Sequence, residues 1–402
     1  MLKGSRECLR GPLALYGPGF RDELNRFGYS KSAANRQLQL MARLSAWLED
    51  EQLDVCELAT ARVEQFFEAR CAERYANLLT PRAVAPLIGH LRRTQVMCDP
   101  PVPAPSSPVE AIIERFRVYL VRERALVDGT VRFYCHVASL FVSEQGGRSG
   151  LELAGLRAND VTGFITRTCA TRGLSSSRQV VSALRSFLRF LQLEGLTELA
   201  LDRAVLSPAG WNPSLPRAVS TADVTRLLDG CDRRTRIGRR DFAILKLLTR
   251  LGLRGGEVVI LQLGDIDWRS GEIVVHGKGR SHHRLPLPND LGEALAGYLL
   301  RGRPSSDCRR VFLRHHAPFC GFAETGAIRG VLERACERAG IAYVSPHRLR
   351  HTVATEMLRA GASLSDIGQI LHHTAAVTTA TYAKVDYERL RVLARTWPEV
   401  AA

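Results

Sequence analysis

Apolar residues recur at helical spacing along most of the chain, with polar residues between them. In residues 1–98 and 109–206 this pattern predicts several amphipathic helices of ordinary length. The pattern after residue 217 is mixed. It predicts helices at about 222–230, 240–251, 290–301, 325–339, 346–360 and 364–372, and two short strands around a Gly-rich turn in EIVVHGKGRSHHRLPLP, 272–288. We therefore predict a mainly α (α+β) fold, with helical N-terminal domains and a mixed domain that carries a small antiparallel sheet.

Two proline-rich stretches interrupt this pattern. DPPVPAPSSP, residues 99–108, is typical of an extended, semi-rigid linker, and SPAGWNPSLPR spans residues 207–217. A chain of 402 residues is also too long for one compact core. We predict three domains: a helical N-terminal extension at 1–98, a second helical domain at 109–206 and the mixed domain at 217–402.

The first two segments are weakly similar to each other. LATARVEQFF (58–67) aligns with LRANDVTGFI (156–165). The alignment predicts that the N-terminal extension repeats the next domain, and coincidence among helical bundles is the alternative. The matched apolar pairs are Leu58 with Leu156, Val63 with Val161, and Phe66 with Phe164.

The composition of the chain predicts a polyanionic partner. The net charge of +15 and the pI of about 9.8 favour nucleic acid first and an acidic membrane surface second. Arginine dominates the 56 basic residues, so a lysine can mark a position where arginine cannot perform the chemistry. The five lysines are Lys3, Lys31, Lys246, Lys278 and Lys384.

Several classes of protein are disfavoured. The sequence has no run of 18 or more apolar residues, so no membrane span is predicted. The N-terminal MLKGSRECLRGPL lacks the apolar stretch of a secretion signal. Ten cysteines are scattered without a C-x-x-C pair, so neither a zinc module nor a disulfide framework is indicated. We expect a soluble, cytoplasmic protein.

The stretch SPHRLRHT, residues 345–352, combines a helix start with basic side chains. Ser345 and Pro346 are typical of an N-cap and a first helical position. His347, Arg350 and His351 follow at i, i+3 and i+4, which places them on one helical face. The apolar residues of this helix lie on another face and can point to a core: Leu349, Val353 and Met357.

Four pieces of the third segment carry unusual polar chemistry: LGLRGGEVVIL, GKGRSHHR, PHRLRHT and LHHTAAVTTATYAK. They contribute, in chain order, Arg254, Lys278, His347, Arg350, His373 and Tyr382. This ordered set resembles the tyrosine recombinase (phage integrase-like) family, and PHRLRHT followed by His-x8-Tyr is its most diagnostic part. The resemblance covers residues 217–395, and segment 109–206 is similar in position and character to the family's helical core-binding domain. Residues 1–98 have no counterpart in the minimal family architecture.

The resemblance implies site-specific cleavage and rejoining of DNA. Tyr382 would attack a phosphodiester, giving a 3′-phosphotyrosyl intermediate and a free 5′ hydroxyl. Arg254 and Arg350 would bind the non-bridging phosphate oxygens with their planar, permanently charged donors. Oriented N–H groups at the start of the SPHRLRHT helix would add to this binding.

Proton transfer and orientation fall to the remaining matched positions. His347 would take the phenolic proton, and Lys278 would protonate the departing 5′ oxygen, which an arginine does poorly. His373 would hydrogen-bond the scissile phosphate. Glu257, three residues after Arg254, would orient a neighbour, for which His347 is the first candidate.

The same resemblance implies no cofactor and no metal, because the covalent intermediate conserves the bond energy. Its partner would be double-stranded DNA with specific recombination sites. Two rounds of strand exchange through a Holliday junction would need a homo-tetramer, with partner recombinases as a further option. We expect such an enzyme to serve a mobile element, in integration or transposition.

Some positions depart from the commonest family pattern. The family often has Leu-Gly-His where this chain has Leu371-His372-His373, and only His373 keeps the spacing to Tyr382. A second phenol, Tyr387, lacks the Thr-Thr-x-x pattern that precedes Tyr382. We expect His351 to pack or to bond locally. The pairs His282-His283 and His315-His316 suggest solvated or DNA-facing roles rather than a metal, because neighbouring strand residues point to opposite faces.

Two other functions remain open at this stage. A type IB topoisomerase-like enzyme uses nearly the same chemistry to relax supercoiled DNA, but the compact His-x8-Tyr spacing and the preceding helical domain disfavour it. A non-catalytic DNA-binding accessory protein is the second alternative, and the intact set of six residues offers it no direct support.

Overall fold

The structure, a computed structural model, describes residues 10–58, 60–72, 83–97, 105–146, 153–206, 218–277 and 281–372. The chain forms two compact units, one made of Met1–Asp99 with Ser214–Ala402 and the other of Pro100–Pro213. Helices dominate both, and the strands form one small antiparallel sheet. The predicted fold class is confirmed. Among the described residues, no helix has the length and apolar character needed to cross a membrane.

In its described residues, the N-terminal part of the first unit forms four helices around an apolar cluster. Phe20, Met41 and Phe66 are fully buried at its centre. The imidazole of His90 is also buried, and its Nδ1 lies 2.7 Å from an oxygen of Glu23, so this histidine is a paired core residue. The helices are α1 (Gly17–Arg26), α2 (Lys31–Asp50), α3 (Thr60–Ala72) and α4 (Ala85–Arg93).

The described residues of the second unit form a bundle of four helices: α5 (Pro108–Arg122), α6 (Asp128–Gly146), α7 (Ala158–Cys169) and α8 (Leu174–Leu193). Aromatic rings fill its core, where Phe116 meets Phe187 edge-on at 5.0 Å and Phe141 meets Phe164 at 5.2 Å between centroids. All six residues of the matched apolar pairs in the two N-terminal segments are buried, as equivalent core positions require. The duplication itself stays a prediction.

The C-terminal part of the first unit contains the mixed region. Every helix expected after residue 217 is present within a few residues of its predicted bounds, and the predicted strands pair as a hairpin. A short helix after Arg254 is also present. The elements are α9 (Thr221–Asp229), α10 (Arg236–Arg250), α11 (Gly255–Ile260), β1 (Ile266–Asp267), β2 (Glu272–His276), β3 (His282–Pro286), α12 (Asn289–Arg301), α13 (Gly326–Ala339), α14 (Pro346–Arg359) and α15 (Leu364–Ile370).

Hydroxyl side chains define where these helices begin. Ser220, Thr235, Ser345 and Ser363 are the N-caps of α9, α10, α14 and α15, and each accepts a hydrogen bond from a backbone N–H of the first turn. Past the end of α14, Gly361 has a φ of +95°, which a residue with a side chain rarely adopts. The predicted starts of α9, α14 and α15 lie within one residue of the observed ones, whereas α10 begins at Arg236, before its predicted start at about 240.

The sheet has the order β1-β2-β3, and its register places two neighbouring histidines on opposite faces. Val275 pairs with His283 across β2 and β3, on the face of the buried Ile273 and Leu285. His282 pairs with His276, and their rings meet at 4.7 Å on the other face. The predicted alternation of side chains along this strand is confirmed.

The N-terminal helices contact the loop before α13 at one tight point. The Phe319 N–H donates to the carbonyl oxygen of Phe27 at 2.9 Å. A Cβ on Gly28, whose φ is +78°, would lie only 2.0 Å from the Phe319 ring. Arg26 and Asp307 form an ion pair at 3.6 Å beside this contact. Gly28 is thus required both by its backbone conformation and by the approach of the ring.

We expect Gly28→Ala to lower the free energy of unfolding by roughly 2 kcal/mol, because the methyl group adds a clash to a left-handed backbone. Gly195→Ala is the matched control, since Gly195 also has a positive φ, +68°, but a Cβ at that position would meet no atom within 4 Å. Urea denaturation of both variants measures the difference. In a Phe319→Ala background the ring is absent, so adding Gly28→Ala should lower the free energy of unfolding no more than Gly195→Ala does. Equal losses for Gly28→Ala and Gly195→Ala in the wild-type background would contradict the expectation.

Candidate functional site

The structure brings four of the predicted site residues together: Arg254, Glu257, His347 and Arg350. The other three, Lys278, His373 and Tyr382, lie outside the described residues, as does the alternative phenol Tyr387. Their roles stay predictions from the sequence. The described residues form the arginine and histidine side of the site.

Arg254 is the N-cap of α11, and Glu257 holds it in place. One carboxylate oxygen of Glu257 accepts the backbone N–H of Arg254 at 2.8 Å, and the other accepts Nη1 at 2.7 Å. Glu257 is buried while the arginine side chain is 44% exposed, so the carboxylate orients a guanidinium that solvent can still reach. The sequence made His347 the first candidate for a partner of Glu257, and the structure shows the carboxylate bonded to Arg254.

Arg350 lies beneath this pair and is almost fully buried, with 3% of its surface exposed. Its Nη1 donates to the carbonyl oxygen of Gly252 at 2.8 Å, and its Nη2 donates to that of Leu371. Arg254 donates to the next carbonyl, that of His372, at 3.4 Å. The two guanidiniums therefore converge on consecutive peptide groups at the end of α15, which brings two positive charges to one place.

His347 occupies the first turn of α14 and pairs with His351 one turn later. Their Nε2 atoms are 2.9 Å apart, so the N–H of one ring donates a hydrogen bond to the nitrogen of the other. Loss of solvation around the imidazole, followed by the charges of Arg350 and Arg254, lowers the pKa of His347. A neutral imidazole at this place can accept a proton. His351 bonds locally, as predicted.

A cavity of about 310 Å³ opens where these elements meet. Arg254, His347 and Arg350 line it together with the N-terminal turn of α14. Sequence reasoning missed three further lining residues, Thr325, Arg329 and Tyr343. They belong to no motif, and they reach the cavity only because α13 packs beside α11 and α14.

The neighbouring histidines His282 and His283 contact different partners. The ring of His282 contacts His276, whereas that of His283 stacks on His372 with centroids 3.6 Å apart and planes inclined by 13°. Within the part of the chain that the structure describes, no group of three or more His, Cys, Asp or Glu side chains could hold a metal ion. The rings of His282 and His283 thus lie on opposite faces of β3 with separate partners.

Partly buried histidines also predict how stability depends on pH. Burial, then the charges of Arg240, His316 and Arg334, lowers the pKa of His315 from 6.5 to about 4. The unfolded chain thus binds more protons than the folded one between about pH 6.5 and 4. We expect the free energy of unfolding to fall as the pH decreases through this window.

Urea denaturation across the window measures this effect. His315→Gln should flatten the decline, because the glutamine takes up no proton when the chain unfolds. Above pH 6.5 the wild-type and variant curves should run parallel. A variant whose stability declines as steeply as that of the wild type would show that His315 is not responsible.

Two protein-family models match this chain. Residues 217–389 match the model described as the phage integrase family, and residues 113–195 match the phage integrase N-terminal SAM-like domain. The first match contains all seven predicted site residues. The second covers most of the helical bundle α5–α8.

Similar proteins extend this finding to nearly the whole chain. A putative integrase/recombinase of Sinorhizobium fredii, y4rA, is 38% identical over 392 residues, 96% of this chain and 95% of that protein. The tyrosine recombinase XerC of Oceanobacillus iheyensis is 32% identical over 294 residues, covering 70% of this chain and 94% of that protein. Because the alignment with y4rA covers 96% of this chain, it includes most of the N-terminal extension.

Solved structures share the fold. The XerH site-specific recombinase bound to a palindromic difH substrate, in a post-cleavage complex, gives a TM-score of 0.57 at 16% identity, over 84% of this chain and 95% of that one. A lambda integrase (75–356) dimer bound to a COC′ core site gives 0.53 at 13% identity, over 67% and 96%.

Proposed function

Because the chain belongs to the tyrosine recombinase (phage integrase) family, we propose that its paired arginines bind the scissile phosphate of a DNA strand that Tyr382 attacks. The enzyme is a site-specific recombinase, and the reaction class predicted from the sequence is confirmed by its family. The convergence of Arg254 and Arg350 on consecutive carbonyls carries the assignment of the phosphate site. Family membership also favours strand exchange over topoisomerase-like relaxation.

The chemistry requires positive charge around the phosphorus atom. A bond forms between the Tyr382 oxygen and phosphorus while the bond to the 5′ oxygen breaks, and negative charge gathers on the non-bridging oxygens. The guanidiniums of Arg254 and Arg350 now bind carbonyl oxygens. A guanidinium carries five N–H donors, so phosphate oxygens can form charge-assisted hydrogen bonds alongside those to the carbonyls. Glu257 keeps Arg254 aimed at the cavity while the phosphate binds.

Two proton transfers complete the step. His347 takes the phenolic proton of Tyr382, which its lowered pKa supports because the imidazole starts neutral. Lys278 gives a proton to the 5′ oxygen, and His373 donates to the phosphate. Rejoining reverses these transfers when the 5′ hydroxyl of another strand attacks the phosphotyrosine.

The partner in this proposal is double-stranded DNA with specific recombination sites. We place the catalytic residues in domain 217–402, the core-binding function in domain 109–206, and the N-terminal extension at 1–98. A homo-tetramer would exchange the strands, in the cytoplasm and in the service of a mobile element. Both solved relatives named above were captured on DNA, which supports the choice of partner.

We expect the affinity for this DNA to fall steeply as salt rises. Arginine supplies all but five of the 56 positive charges in this chain of net charge +15, and each phosphate contact releases bound counterions. The slope of log K against log salt should be about −0.9 per phosphate contact. Fluorescence anisotropy with a labelled duplex at several salt concentrations measures it, and a flat response would contradict an arginine–phosphate interface.

Trapping the covalent intermediate tests the proposed function. The wild-type protein is mixed with a nicked suicide duplex that carries the ends of its own genetic element, so that the cut strand diffuses away and cannot be rejoined. A protein–DNA band that survives denaturation is the expected result. A folded, DNA-bound wild type that gives no such band on these ends would contradict the proposed reaction.

A further inference from the structure

We propose that His372 and His283 act as a stacked pair that positions the β2–β3 hairpin against the turn held by Arg254 and Arg350. This inference rests on the proposed function, because that function places the general acid on the hairpin. Neither histidine belongs to the set of predicted catalytic residues. They are positioning residues, since they act through the groups that they hold.

The contact is a parallel stack of two imidazoles. The rings lie 3.6 Å apart with an angle of 13° between their planes, which is the full face-to-face overlap of two flat rings. Both nitrogens of His372 are buried, and among the described residues neither has a hydrogen-bond partner, so the contact that the structure shows for this side chain is ring packing. Burial and then the neighbouring His283 lower the pKa of His372 to about 4. The ring is thus uncharged at neutral pH and stacks without repulsion.

The stack joins two parts of the site. On one side, the carbonyls of Leu371 and His372 accept hydrogen bonds from the two arginines. On the other, His283 lies on β3, and a Cβ at Gly277 would come within 3.6 Å of its ring. Gly277 immediately precedes Lys278 in the chain. The stack and the pairing of His283 with Val275 therefore link the arginine pair to β2, which ends two residues before Lys278 in the chain.

The backbone at His372 makes a glycine substitution informative. His372 has a φ of +52° just past the end of α15, a left-handed conformation that glycine adopts without cost. Gln52, Gln95 and Ala125 have similar angles, so this conformation is a common way for the chain to leave a helix. His372→Gly should relax the backbone, so a loss of activity in that variant cannot be assigned to a misfolded turn.

The test compares cleavage of two suicide duplexes that differ in one atom, oxygen or sulfur, at the 5′ bridging position of the scissile phosphate. A thiolate leaves without being protonated, whereas an alkoxide needs the proton of the general acid. We expect His372→Gly and His283→Ala each to slow cleavage of the oxygen substrate about tenfold and to leave the sulfur substrate near the wild-type rate. The double variant should be no slower than either single one, because the rings act as a unit.

Two further variants complete the design. His372→Phe keeps a flat ring without nitrogens and should restore the ratio of the two rates, which a direct hydrogen bond from His372 to phosphate would not allow. His282→Ala removes the adjacent histidine from the opposite face of β3 and should keep the wild-type ratio. Equal slowing of both substrates by His372→Gly, failure of His372→Phe to restore the ratio, or the same change in His282→Ala would each overturn the positioning role. A wild type that forms no adduct would instead overturn the proposed function itself.

Discussion

Phenylalanine in place of Tyr382 is expected to abolish the covalent protein–DNA adduct while DNA binding stays near the wild-type level. The substitution removes only the phenolic oxygen, which the proposed reaction uses as the nucleophile. Activity should fall at least about a thousandfold, because no other group in the proposed mechanism forms the bond to phosphorus. The suicide duplex and a denaturing gel measure this directly.

Tyr387→Phe is the matched control for this experiment. It removes the same atom from a phenol five residues later in KVDYERL, and the adduct should form at the wild-type level. An adduct that persists in Tyr382→Phe and disappears in Tyr387→Phe would move the nucleophile without changing the reaction class. An adduct that survives both substitutions would show that neither of these two phenols is the nucleophile.

Replacement of Arg350 by alanine is expected to reduce cleavage by about a thousandfold and also to destabilise the protein. The guanidinium is the buried member of the phosphate pair, and its loss removes charge from the transition state. It also leaves the carbonyls of Gly252 and Leu371 without their donor, which costs about 1–3 kcal/mol for each buried group. Single-turnover cleavage and urea denaturation separate the two effects.

The same helix offers a control for Arg350. Arg359 lies in the last turn of α14 with an exposed side chain, and Arg359→Ala removes an equal charge at little cost to either quantity. If Arg350→Ala does not fold, Arg350→Lys keeps a charge but cannot reach both carbonyls with a planar fork. A folded Arg350 variant that cleaves within tenfold of the wild type would contradict its place at the phosphate.

The SPHRLRHT stretch shows why much of the fold was predictable. The Ser345 hydroxyl accepts the Arg348 N–H, and Leu349 and Val353 are buried on the opposite side from the cavity-lining His347. Capping and periodicity act over three or four residues, so adjacent sequence contains the whole signal. The alternation of His282 and His283 follows in the same way from the geometry of a strand.

The partners of the site residues were less predictable. Glu257 pairs with Arg254, three residues away, although His347 was the first candidate. Arg254 and His347 were both candidates to lie near the Glu257 carboxylate. Which of them it bonds depends on the direction of the Glu257 side chain in α11. Arg329 and Tyr343 were missed altogether, because a cavity lined by several helices has no pattern in any one of them.

The sequence by itself determined the reaction class, the helices and hairpin, and the ordered set of polar residues, because these depend on residue types and on short spacings. Only the tertiary structure decided that Arg254 and Arg350 converge on the carbonyls of residues 371 and 372, and that the ring of His372 rests on that of His283. These contacts join residues that are far apart in the chain, 21 positions for Arg350 and Leu371 and 118 for Arg254 and His372. Packing of buried apolar surface, which has no preferred sequence separation, brings such residues together.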